Sequence, residues 1–313
     1  MGKVAFLFAG QGAQYVGMGM DLVKNFERAK NVFKKADEAL GYRISDICFY
    51  GPEEKLKETA NTQPAILTHS LACYFLLKEE GIVPDVVAGL SLGEYSALVA
   101  AESLDFEDAV RVVRKRGIYM QEAVPLGEGT MAAIIGLERR VVLEVCKLAS
   151  DEGVVEAANF NSPDQTVVSG HVKAVEKALK IAREKGAKKA VMLPVSAPFH
   201  CSLLKPAGEK LGKELEKTNI KPAKIPVISN VTAEIVKDPA AIRELLIKQV
   251  SSPVLWEDSV IKMKELGVDT FVELGPGRAL SGLVKKIDRS LTTLNVEDSE
   301  SLANVMNYFR GNR

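Results

Sequence analysis

The chain has 313 residues, 47% hydrophobic and 26% charged, enough for one large or two modest domains and for a sizeable core rather than a disordered chain. Its 41 lysines and arginines are balanced by 41 aspartates and glutamates. Nothing global therefore points to nucleic acid, and no apolar run approaches the ~20 residues of a membrane-spanning helix. Cys48, Cys73, Cys146 and Cys201 are widely spaced, and the three histidines form no ligating pattern, so neither a disulfide framework nor a metal site is expected. The N-terminus has no long apolar leader and runs into a glycine turn instead. A cytoplasmic, metal-free protein is the expectation.

Val4-Ala5-Phe6-Leu7-Phe8-Ala9 is a continuous apolar run, suited to a strand buried on both faces. It ends at Gly10-Gln11-Gly12-Ala13-Gln14. A dinucleotide fingerprint would place a third glycine at position 15, where Tyr15 stands, so that reading fails. What survives is a glycine-flanked turn at the carboxyl end of a strand, where open α/β sheets place ligand contacts; a plain tight turn is equally open. Residues 21–40 and 64–80 are helical in pattern. His69, among Ile66, Leu67, Leu71, Ala72 and Phe75, reads as a packed histidine rather than a catalytic one.

Val86-Val87-Ala88 then leads as a short strand into Gly89-Leu90-Ser91-Leu92-Gly93, and Glu94-Tyr95-Ser96-Ala97-Leu98 leads out as a helix. This is the nucleophile-elbow pattern. The serine takes a sharp, strained turn that lifts its hydroxyl off the sheet, and small flanking residues let strand and helix approach closely. The helix N-terminus aims its N–H groups at the serine.

Residues 106–122 form an amphipathic helix with Phe106, Ala109, Val110, Val112, Val113 and Met120 on one face. Arg116 falls inside that apolar stripe. A buried guanidinium needs an anion. A protein carboxylate and a carboxylate arriving with the substrate are both open at this point.

After residue 125 the order is strand 130–137, helix 138–151, strand 154–160, strand 165–169, helix 171–185 and strand 188–195. That βαββαβ order is the ferredoxin-like motif. It predicts an inserted subdomain over 125–195, with the core formed by 1–124 and 196–313. His171, at a helix start, suits capping or the surface. Pro194 and Pro198 shape an irregular loop that ends at His200, a better catalytic candidate than the other two histidines. Residues 225–230 read as a strand, 239–249 as a helix, and 271–274 as a strand ending at Gly275-Pro276-Gly277, which lacks the Gly-Lys-Ser/Thr of a phosphate loop.

Taken together, the stretches Gly10-Gln11-Gly12-Ala13-Gln14, Thr62-Gln63-Pro64-Ala65, Gly89-Leu90-Ser91-Leu92-Gly93-Glu94-Tyr95, Lys115-Arg116-Gly117, Asn159-Phe160-Asn161-Ser162-Pro163, Phe199-His200, 249–256 and Glu273-Leu274-Gly275-Pro276-Gly277 resemble malonyl-CoA:acyl-carrier-protein transacylase, the acyltransferase of type II fatty acid synthesis. The match runs in order along nearly the whole chain. The resemblance implies an α/β fold, with an α/β-hydrolase-like core of parallel sheet interrupted by the ferredoxin-like subdomain. It also implies malonyl transfer from coenzyme A to the phosphopantetheine thiol of acyl carrier protein through a malonyl-serine ester. No cofactor is implied, since coenzyme A arrives as the thioester substrate. A monomer with no nucleic-acid or membrane partner is expected.

By the same resemblance Ser91 is the nucleophile, His200 the base, and the backbone carbonyl of Gln249 the group that orients the histidine. The N–H groups of Gln11 and Leu92 make the oxyanion hole. Arg116 grips the malonyl carboxylate. Met120 and Phe199 wall the acyl pocket, with Asn159 a further substrate-side residue. One position departs from the pattern: Leu90 stands where many members carry histidine before the nucleophile, which leaves His200 as the base. The carrier protein is acidic in this family, so Lys185, Lys188 and Lys189, or Lys285, Lys286 and Arg289, are candidate docking groups. Two rivals remain: a serine hydrolase that passes the acyl group to water, and a non-catalytic module that docks the carrier.

Overall fold

Strand β1 (Lys3–Phe8) divides its side chains between two cores, as the period of two requires. Val4, Phe6 and Phe8 enter the main hydrophobic cluster, while Ala5 and Leu7 enter a second one with Trp256, Val260 and Phe271 on the opposite face. A strand with both faces buried must be apolar throughout, which is why the run carries no alternation. The structure, a computed structural model, describes residues 2–195 and 197–311. Ser196, where the second core segment is expected to resume, and the terminal residues Met1, Asn312 and Arg313 lie outside them.

The remaining strands are β2 (Val86–Gly89), β3 (Gly129–Ile135), β4 (Val155–Ser162), β5 (Gln165–His171), β6 (Lys189–Met192), β7 (Val227–Ile228), β8 (Ile235–Val236), β9 (Val254–Leu255), β10 (Val268–Leu274) and β11 (Thr292–Val296). One sheet has the order β11-β10-β1-β2-β7-β8, with every pairing parallel except β7 with β8. β1 lies inside it, beside β2, so the turn after Phe8 and the elbow after Gly89 emerge side by side at the carboxyl ends of neighbouring strands. The protein is thus of mixed α/β class.

The second sheet has the order β6-β3-β5-β4-β9. Its first four strands pair antiparallel, and β9, from well beyond residue 195, adds to β4 in parallel. Ala132 and Ile134 pack on the helices Arg139–Ala149 and Val172–Glu184 in a separate core. Met131 and Ala133, from the alternate face, join the main cluster instead. Among the described residues, no helix is long and apolar enough to cross a membrane.

Several elements depart from their expected bounds. The expected helix over 21–40 is two, Met20–Asn25 and Glu27–Leu40, broken where Phe26 turns extended at φ −134°. The Asn25 amide donates to the Asp21 carbonyl, a local bond that competes with helix continuation. The second expected helix spans Thr59–Glu79, so Pro64 lies inside it rather than at its start. The expected strands over 188–195 and 225–230 shrink to Lys189–Met192 and Val227–Ile228. His171 precedes its helix but does not cap it; its Nδ1 accepts the Val154 N–H at 3.0 Å instead.

Candidate active site

Ser91 sits between β2 and the helix Gly93–Ala100 with φ +53°, a left-handed conformation that costs a side-chain-bearing residue roughly 1–3 kcal/mol. Asn230 holds it there. The Asn230 Oδ1 accepts the Ser91 N–H at 2.6 Å, and its Nδ2 donates to the Gly89 carbonyl at 2.7 Å. The flanking glycines are required by distance: a Cβ on Gly89 would lie 2.0 Å from Gly93 C, and one on Gly93 would lie 2.1 Å from the Phe8 carbonyl oxygen. A Cβ on Gly10 would lie 2.7 Å from the Leu90 carbonyl oxygen, so the Gly10-Gln11 turn is pressed against the elbow.

His200 also has a positive φ, +62°. Its Nε2 is 2.7 Å from Ser91 Oγ and its Nδ1 is 2.8 Å from the Gln249 carbonyl oxygen. A carbonyl can only accept, so Nδ1 carries the proton and Nε2 is the lone-pair face turned to the serine hydroxyl. Burial and then the nearby Arg116 charge push the imidazole pKa down to about 4, against the opposing pull of the Gln249 and Ser252 backbone. The imidazole is therefore neutral and able to accept a proton at physiological pH. Its loop is braced by close packing, since a Cβ on Gly129 at the start of β3 would meet Pro198 at 2.5 Å.

Arg116 is 1% exposed. Its Nη1 donates to Gln63 Oε1 at 2.9 Å, and its Nη2 donates to Gln249 Oε1 at 2.9 Å and to Ser91 Oγ at 3.1 Å. Its Cζ stands 5.5 Å from the centroid of the Tyr95 ring, and Nε has no hydrogen-bond partner among the described residues. Burial draws its pKa down, while Tyr95 and Glu94 pull it back up. Every group that accepts from the guanidinium is neutral, and no carboxylate among the described residues forms an ion pair with it. The buried Glu94, two residues after the elbow's Leu92, reaches Gln249 rather than Arg116: Gln249 Nε2 donates to its Oε2 at 2.6 Å. Burial raises that carboxyl's pKa to about 7.

A neutral imidazole and a buried guanidinium are thus gathered around one seryl oxygen. The model of the acyl transferase domain family matches residues 5–308. The malonyl CoA-acyl carrier protein transacylase of Bacillus subtilis (strain 168) is 52% identical over 303 residues, covering 96% of each chain. The chain belongs to this transacylase family. Solved members superpose closely. The transacylase from Clostridium perfringens has a TM-score of 0.96 at 50% identity, covering 99% of this chain and 98% of its own. A malonyl-transacylase in complex with a type II PKS acyl-carrier protein also has a TM-score of 0.96, at 42% identity, covering 98% of this chain and 99% of its own.

Within this family frame the other expected residues fall as follows. The N–H groups of Gln11 and Leu92 make no hydrogen bond to any described residue, leaving both as donors next to the elbow. Gln11 and Leu90 line a cleft of about 480 Å³ together with Asn161, Arg278 and Lys286; it reaches Leu90, beside Ser91, and its lining includes neither Ser91 nor His200. Met120 is buried and accepts from Gln63 Nε2 through its sulfur at 3.7 Å. Phe199, next to His200 in the chain, is buried. Asn159 is not joined to the cluster: it sits on β4 opposite Val167 and Val254, and it is Asn161 that faces the cleft. His69 is fully buried, with Nε2 2.8 Å from the Glu297 carbonyl oxygen. No group of side chains suited to a metal ion is present among the described residues.

Sequence reasoning did not single out Asn230, Gln63 and Glu94, which the structure joins to Ser91, Arg116 and Gln249. Gln63 and Glu94 lie inside the quoted stretches, so a signal existed. Asn230 lies two residues past the short strand β7, far along the chain, and only the fold brings it to Ser91.

Proposed function

We propose that the chain moves malonyl from coenzyme A to the phosphopantetheine thiol of an acyl carrier protein, supplying the extender unit for fatty acid synthesis. The observation that carries this is the Ser91 oxygen held between His200 Nε2 at 2.7 Å and Arg116 Nη2 at 3.1 Å. Ser91 Oγ attacks the thioester carbon as its proton passes to His200 Nε2. The N–H groups of Gln11 and Leu92 receive the oxyanion; losing one such donor costs an enzyme roughly 10²–10³ in rate. Collapse expels the coenzyme A sulfur, which takes the proton from His200. The carrier thiol then gives its proton to His200 and attacks the ester, and the departing Ser91 oxygen takes that proton back from His200, which restores the serine.

Arg116 is the seat of the malonyl carboxylate, with Met120 and Phe199 as pocket walls. The sheet order supports the finer architecture. Within the second sheet β6-β3-β5-β4 has the strand order of a ferredoxin-like unit, making 125–195 a subdomain inserted in an α/β-hydrolase-like core formed by 1–124 and 196–313. A cytoplasmic monomer needing no cofactor completes the proposal.

The test is mass spectrometry of protein mixed with malonyl-CoA. Ser91 is expected to gain a malonyl group that is discharged on adding carrier protein. Rapid release of coenzyme A with no acceptor thiol would favour the hydrolase reading, and an unmodified Ser91 would favour the docking module.

A further inference from the structure

Gln249 has a primary amide, and its two ends differ in what they can do. Its Oε1 accepts from Arg116 Nη2 at 2.9 Å, while its Nε2 donates to Glu94 Oε2 at 2.6 Å and to the Ser91 carbonyl at 3.1 Å. Turned over, the amide would set its NH₂ against the guanidinium, donor to donor. The group best placed to forbid that turn is the Glu94 carboxyl, 2% exposed, which also accepts the Asn230 N–H at 3.1 Å.

We propose that Glu94 is a positioning residue for the acyl donor's carboxylate: it fixes the Gln249 amide with its carbonyl toward Arg116 and so sets the direction of the guanidinium beside Ser91. The proposal rests on Arg116 as the carboxylate's seat. Glu94 touches neither the substrate nor the reacting atoms. It acts through Gln249, whose backbone carbonyl independently holds His200 at 2.8 Å. One residue thus couples the recognising cation to the base, and Glu94 decides which way its side chain faces. A purely structural part in the elbow, through Asn230, would slow transfer of every acyl group alike. A positioning part acts on a charged acyl group above a neutral one.

The experiment compares kcat and KM for malonyl-CoA and acetyl-CoA, with carrier protein as acceptor, in the full chain. The variants are Glu94→Gln, Glu94→Leu, Gln249→Met and the Glu94→Leu/Gln249→Met double, with Arg116→Ala as reference. Glu94→Leu is expected to lower the malonyl-to-acetyl ratio of kcat/KM by roughly 10–100-fold, mostly through KM for malonyl-CoA. Glu94→Gln, which keeps an acceptor for Gln249 Nε2, restores the ratio to within a few-fold. The double variant is expected to be no worse than Gln249→Met alone. Equal loss with both donors, no rescue by glutamine, or additive effects in the double would overturn the proposal. Should Glu94→Leu not fold by circular dichroism, Glu94→Asp replaces it, because its shorter carboxyl withdraws from Gln249 and the same fall in ratio is expected. If Arg116→Ala leaves the ratio untouched, the assignment of Arg116 fails. If Arg116→Ala lowers it and the Glu94 variants do not, the role of Glu94 alone fails.

Discussion

At Arg116 the hydrogen-bond partners are two glutamine carbonyls and a serine hydroxyl, all neutral. Breaking a buried charge pair is worth about 3–5 kcal/mol, because the orphaned charge has no water to return to. Arg116→Ala is therefore expected to lower kcat/KM for malonyl-CoA by roughly 10²–10³-fold while acetyl-CoA suffers far less. Steady-state rates with both donors decide it, and an equal loss with each would remove Arg116 from recognition. His200 carries a prediction in pH. Its folded pKa is pushed down to about 4 from 6.5, so the neutral base persists far into acid. The acid limb of kcat/KM for malonyl-CoA should fall away near pH 4 rather than near 6.5. The sign for stability follows. Between those values the unfolded chain binds the proton and the folded one does not, so His200 favours folding above 6.5 and loses that contribution as pH falls toward 4. A limb centred near the ordinary histidine value, seen in a pH–rate profile, would contradict the buried, Arg116-facing imidazole.

At the scale of elements, the approach of β1, β2 and the helix Gly93–Ala100 is what lifts the serine. A Cβ at position 93 would lie 2.1 Å from a backbone oxygen of β1, which cannot retreat without moving the sheet. Gly93→Ala is expected to destabilise the fold by about 1–3 kcal/mol and to abolish transfer by displacing the elbow. Gly282→Ala is the control. It lies inside the helix Ala279–Ile287 with nothing within 4 Å of the added carbon, so a gain of about 0.5–1 kcal/mol is expected. Thermal unfolding of both variants checks the pair, and a stable, active Gly93→Ala would disprove the close approach. The helix Phe106–Glu122 was legible to the residue because its apolar stripe reports burial directly. The break at Phe26 was not, since the side-chain bond from Asn25 leaves the apolar period intact.

Over the whole molecule, the two candidate basic surfaces are differently placed. Lys185 is engaged with Glu144 at 3.0 Å, on the surface of the second sheet's helices. Lys286 lines the cleft that Gln11 and Leu90 border, with Arg278 beside it. The family resemblance implies an acidic carrier, which on the proposed mechanism brings its thiol to Ser91, so the second surface is the better sited of the two. Lys286→Glu is expected to raise KM for the carrier severalfold, with the effect shrinking at high salt, whereas Lys188→Glu and Lys189→Glu leave it unchanged. Kinetics at saturating malonyl-CoA decide this. The reverse pattern would move docking to the subdomain.

What the sequence alone determined were the features written in local order: an elbow between a strand and a helix, a cation within an apolar stripe, a histidine ending a proline-bounded loop, and the βαββαβ succession. Local pattern reports them because period, glycine spacing and turn chemistry act over a few residues. Only the tertiary structure decided that Asn230 holds the serine, that Gln63 and Gln249 share the guanidinium, and that Glu94 reaches Gln249 rather than Arg116. Those contacts join residues separated by more than fifty positions. Hydrogen-bond direction and burial at such range exist only once packing has closed the core around them.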